Sequence, residues 1–114
     1  MEVLLIFTNM PDTESAQSLA AHLIEQRLAA CVNILAPCRS IYRWAGALET
    51  TTEVPLLIKA TAANYAALET AIRARHPYEL PEIIAVPVER GLPAYLDWVA
   101  SETATAPTPD MSSC

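Results

Sequence analysis

Val3-Leu4-Leu5-Ile6-Phe7 is an unbroken apolar run of strand length. A run without polar alternation predicts a strand buried on both faces. Pro11 breaks it, and Asp12 is a residue type that caps helices. Ala16, Leu19, Ala20, Leu23, Ile24 and Leu28 then recur at spacings of three and four. That spacing predicts one stripe of an amphipathic helix, with His22 on its solvated side. From Ala30 the period shortens. Val32, Ile34, Ile41, Tyr42 and Trp44 predict a long second strand, bent near Pro37. Ala45-Gly46 signals a turn. A third strand runs through Leu48 and Val54 to Leu56-Leu57-Ile58. Pro55 offers no ladder donor, which predicts an edge position or a bulge. Thr61 is a candidate cap for a second helix carrying Tyr65, Leu68 and Ile72, which Pro77 ends. Ile83-Ile84-Ala85-Val86 reads as a fourth strand, and residues 92–99 as a short last helix opened by Pro93.

The order is β-α-β-β-α-β plus a short helix. It predicts an α+β, ferredoxin-like sandwich: a four-stranded antiparallel sheet with two helices on one face. The domain is expected to span residues 1–102. Residues 103–114, rich in Thr, Ala, Pro and Ser, read as a disordered tail.

Composition adds an expectation about assembly. Hydrophobic residues make up 53% of only 114 residues. A domain this short leaves much of its surface unburied, so the excess apolar content predicts an oligomer. Thirteen acidic against seven basic residues give a net charge of −6. That balance argues against nucleic-acid and anionic-membrane partners and favours cations. No apolar run is long enough to predict a transmembrane helix, and the N-terminus lacks the basic start of a signal peptide. Three cysteines, Cys31, Cys38 and Cys114, imply no disulfide framework and fit a reducing cytoplasm.

With Gly46 and Gly91 as the only glycines, no Gly-rich phosphate loop exists. There is also no nucleophile elbow, C-x-x-C or H-E-x-x-H. The most concentrated chemistry is His76-Pro77-Tyr78-Glu79-Leu80-Pro81-Glu82. An imidazole and two carboxylates on a proline-stiffened segment suit Cu(II) or Zn(II). The same segment also reads as a helix-terminal histidine followed by a turn with exposed acids. Cys31 could add a soft thiolate or be a small core residue. Lys59, the only lysine, could meet an anionic ligand or a carboxylate, or simply end a strand in solvent. Glu49 and Glu53 read as solvated acids of the hairpin, and Cys38 as an incidental thiol. Tyr42, Trp44, Tyr95 and Trp98 read as packing or interface aromatics.

Several of these pieces, taken in order, resemble the CutA divalent-cation tolerance family. They are Ala29-Ala30-Cys31-Val32-Asn33, Ser40-Ile41-Tyr42 with Trp44 and Gly46, and Leu57-Ile58-Lys59. His76-Pro77-Tyr78-Glu79 with Pro81-Glu82, and Tyr95-Leu96 with Trp98, complete the set. The resemblance covers about residues 3 to 100. It implies a homotrimer of ferredoxin-like subunits, similar in architecture to PII-type signalling proteins, with long hairpin arms that pack on neighbours. Tyr42, Trp44 and Trp98 then fall at the trimer interface. Cys31, His76, Glu79 and Glu82 become the candidate metal donors, with Lys59 and Tyr78 as candidate ligand contacts. The implied cofactor is Cu(II) or another divalent ion, in a cytoplasmic protein; an enzyme is not expected, because no residue pair joins an activated nucleophile to a base. The alternative is a trimeric signalling or scaffold module that binds a small molecule or protein at subunit clefts. Departures from the family pattern are Arg43 in an aromatic pair, Ala47 after the turn glycine, Thr8 where some members carry a cysteine, and Pro55.

Overall fold

The computed structural model describes residues 2–104. Five strands and three helices follow one another: β1 (Val3–Met10), α1 (Thr13–Glu25), β2 (Cys31–Ile34), β3 (Cys38–Trp44), β4 (Ala47–Thr61), α2 (Tyr65–Arg75), β5 (Ile84–Pro87) and α3 (Pro93–Glu102). A 3-10 turn at Ala62–Asn64 leads into α2. All strand pairs are antiparallel, in the order β2-β4-β1-β5, with β3 also paired to β4. The expected four strand positions are therefore present, but the second is split into β2 and β3.

Ile6, Met10, Val54, Leu56, Ile58 and Ala60 point from one sheet face into the core. They meet Ala16, Leu19 and Leu23 of α1 and Leu68 and Ile72 of α2. The predicted α1 stripe is correct except at Ile24, which stays exposed. Asp12 caps α1 through a 2.7 Å bond from the Ser15 amide. The capping expectation fails for Thr61. It ends β4, buried, and makes no capping bond. Asn64 precedes α2 instead, and its amide donates to the carbonyls of Arg27 and Thr103. His76 leaves α2 in extended geometry (ψ 132°), as the following proline requires.

Pro55 is not on an edge. It lies in β4, the centre of the sheet, opposite Asn9 of β1. Its carbonyl accepts from the Leu35 amide, so its own nitrogen faces the break between β2 and β3. Ile34 pairs with Leu56 and Cys38 with Glu53. Three residues, Leu35–Pro37, thus face two, Val54 and Pro55. This is a bulge, and the donor that Pro55 lacks has no ladder partner to miss. Beyond it β3 and the first half of β4 run out as an arm. The tail expectation also needs correction at its start. Thr103 is buried, and its hydroxyl donates to the Val99 carbonyl at 2.9 Å. The rest of the expected tail, from residue 105, lies outside the described residues.

Candidate functional site

The cluster forms where the arm leaves the sheet. Asn9 is the last residue but one of β1, Glu53 precedes the bulge on β4, and the loop after α2 crosses between them. His76 anchors that loop. Its Nε2 lies 2.6 Å from the Asn9 carbonyl oxygen, and its Nδ1 lies 3.2 Å from the Tyr78 amide. A carbonyl only accepts and an amide only donates, so Nε2 carries the proton and Nδ1 offers its lone pair. Burial lowers the His76 pKa; the Asn9 hydrogen bond and the Glu53 charge oppose this in part. The ring is therefore neutral at pH 7. Tyr78 folds back on it, with ring centroids 4.6 Å apart.

The Tyr78 hydroxyl is buried and has no hydrogen-bond partner among the described residues. Burial and then the nearby Glu53 charge push it up to about 12. Glu53 acts on it electrostatically, but no bond of ordinary geometry joins the two. Glu53 itself is only 9% exposed. The expectation of a solvated hairpin acid is thus wrong for Glu53, because it sits where the bulge turns the arm beneath the loop. Glu82 is exposed and accepts from the Asn9 side-chain amide at 3.0 Å. Together Asn9, Tyr42, Trp44, Glu53, Tyr78, Glu79 and Glu82 line a cavity of about 680 Å³. Tyr42 is fixed there by a 3.0 Å bond between its hydroxyl and that of Thr51.

The other expected site residues lie elsewhere. Cys31 pairs with Lys59, whereas Asn9 pairs with Pro55. Four residues of β4 separate these levels, about 13 Å along the strand. Within one chain, Cys31 and His76 are therefore not brought together. Lys59 donates to the Asn33 side-chain oxygen and lies 3.9 Å from the Cys31 sulfur. It stands six residues along β4 from Glu53 and does not line the cavity. Trp98 stacks on Tyr95 in α3, with centroids 5.6 Å apart, also away from it. Cys38 is half-buried, near the Ser40 hydroxyl.

These donors do not fit a metal ion within one chain. The one free lone pair of the His76 ring is already bonded to the Tyr78 amide. No group of three His, Cys, Asp or Glu side chains among the described residues is placed to hold an ion. Sequence reasoning found the His76–Glu82 loop but missed Asn9 and Glu53. A signal for Glu53 was available: Pro37 and Pro55, in strands expected to pair, mark a place where the ladder breaks and a side chain is re-aimed.

Residues 4–102 match the family model described as CutA1 divalent ion tolerance protein. The divalent-cation tolerance protein CutA of Thermus thermophilus is 43% identical over 103 residues, covering 90% of this chain and 99% of that protein. A CutA homolog of Xenopus laevis is 44% identical over 93 residues, covering 82% of this chain; the match spans 62% of that longer protein. The crystal structure of CutA from Xylella fastidiosa superposes with a TM-score of 0.88 at 48% identity, covering 91% of this chain and all of that one. The fold, the order of motifs and these likenesses agree: the chain belongs to the CutA1 divalent ion tolerance family.

Proposed function

We propose that this protein acts in divalent-cation tolerance as a homotrimer. It holds Cu(II) or a similar ion with donors drawn from more than one copy. The observation that carries this reading is the part of the sheet face that stays exposed. Leu5, Phe7, Leu57, Ile84 and Val86 share that face by register, and Ile84 and Val86 are 53% and 45% exposed. Among the described residues α3 packs against β4 and β1, with Tyr95 beside Cys31 on this face, and it leaves Ile84 and Val86 bare; exposed apolar surface of this kind favours burial against a second copy. Cys31 stands on the same face, opposite Lys59. A neighbour packed there supplies a second His76 loop, so Cys31, His76, Glu79 and Glu82 need not converge within one chain. His76 would have to give up the Tyr78 amide for Nδ1 to bind metal. Tyr42, Trp44 and Trp98, each exposed in the single chain, are the proposed aromatic contacts between copies. Cys31 and Cys38 are both free thiols, which supports a reducing, cytoplasmic setting. The role proposed is binding, not catalysis.

The test is a Cu(II) titration of reduced protein with glycine as competing chelator, alongside His76→Ala and Cys31→Ser. Stoichiometric binding should survive glycine and be lost in both variants. Binding that vanishes under competition, or ignores both changes, contradicts the metal reading. A second reading, a trimeric module for a small molecule in the manner of PII-type proteins, is favoured by one observation: a cavity of about 680 Å³ falls within the roughly 300–1,000 Å³ range of small-molecule sites.

A further inference from the structure

We propose that the cavity at the base of the arm binds a small organic ammonium ion, with Glu53 as its counter-ion and the rings of Tyr42 and Trp44 against its charge and chain. The inference rests on the second reading, that the cavity takes a small molecule, and names the chemical class.

Glu53 is the first reason. It is 9% exposed, lines the cavity beside the Tyr78 hydroxyl, and forms no ion pair among the described residues. A carboxylate so confined has no cation beside it, and a ligand carrying charged N–H donors would supply one. Tyr78 is the second. Its buried hydroxyl is unpartnered and can accept an N–H as well as donate.

The cavity's charge sets the sign of the ligand. Glu53, Glu79 and Glu82 line it, and no Lys or Arg does. Anions are therefore disfavoured. A bare divalent ion is disfavoured too, because it needs several converging oxygens and no such group forms. An ammonium needs one carboxylate and one or two neutral acceptors, and aromatic faces add attraction to its charge. Glu53 lies deep while Glu79 and Glu82 are exposed at the rim. Acids at both ends suit a short diamine, whose methylenes would lie along Tyr42.

The experiment is a calorimetric titration of the full chain with 1,4-diaminobutane in the presence of a metal chelator. Trp44 fluorescence serves as a second readout, and 1,4-butanediol as the uncharged isostere. Expected is saturable binding of one diamine per chain. Glu53→Gln should weaken it about tenfold or more, since hydrogen bonds to a charged group are among the strongest lost on substitution. Tyr78→Phe removes only the unpartnered hydroxyl and should weaken it severalfold; it carries the test if Glu53→Gln does not fold. Glu49→Gln, on the arm outside the cavity, should leave binding unchanged. Diamine binding that is absent, or equal in wild type and both cavity variants, overturns the proposal; a neighbouring copy's side chain seated in the cavity would give the former. Diol bound as tightly as diamine overturns the ammonium assignment but keeps the small-molecule reading, whereas failure of both ligands removes that reading as well.

Discussion

Thr8 places a hydroxyl in a hydrocarbon layer. It is 1% exposed and its oxygen has no partner among the described residues. Thr8→Val keeps the shape and removes the unpaired group, so it should stabilise the fold by about 1 kcal/mol, read from chemical denaturation. His76 shows the opposite kind of burial, with both nitrogens bonded. Burial is the largest influence on it and lowers its pKa below the usual 6.5. Well above 6.5 the imidazole is neutral in both folded and unfolded chains and contributes no pH dependence. Below 6.5 the unfolded chain takes up the proton first, so stability falls as pH falls toward the folded value. Metal-free protein at fixed concentration should therefore unfold at lower denaturant near about pH 5.5 than near about pH 7.5. His76→Gln should flatten that difference; an unchanged slope would mean that His76 is not the group responsible. His76, Tyr78, Glu79 and Glu82 were legible in the sequence because they crowd seven consecutive residues. Glu53 was signalled only indirectly, by Pro37 and Pro55, because period-two alternation reports a side of a strand and not what a distant loop lays across it.

The split of the second strand position organises the elements. Pro37 and Pro55 made a disturbance legible, but the choice between edge and bulge depended on which strands flank β4, and that is a property of the whole sheet. The arm's tip was read correctly as a turn at Ala45-Gly46. Its φ values, 51° at Ala45 and 83° at Gly46, are those of a two-residue turn with both central residues left-handed. Glycine adopts this freely, whereas alanine is strained there by roughly 1 kcal/mol. Ala45→Asn should relieve part of that strain, because asparagine tolerates the left-handed region. Slower amide exchange at Trp44 and Ala47 in the variant would show it, and unchanged exchange would contradict it. At the end of α1, Arg27 is left-handed as well (φ 57°). There the Leu28 amide reaches the Leu23 carbonyl at 2.9 Å and the Arg27 amide reaches Ile24 at 3.0 Å, which closes the helix while Leu28 packs on the core. The periodic pattern included Leu28 in the stripe correctly, but as a residue just beyond the helix.

At the scale of the molecule, the chain is longer than its core requires. Its extents are 57 × 30 × 23 Å, and its radius of gyration is 15.8 Å against about 13 Å for a compact chain of this size. The arm accounts for the difference, and the part of the sheet face that α3 leaves open carries Ile84 and Val86. Composition alone predicted excess apolar surface; it could not say where, because that depends on which face the helices leave open. One arm and one open face per copy are the ingredients of a closed ring in which each copy covers the next. The most direct test is the mass of the full chain in solution by light scattering across a dilution series. The account predicts a single species of three times the 12.4 kDa of one chain, persisting on dilution. A monomer with its face exposed to solvent, or a dimer, would contradict it.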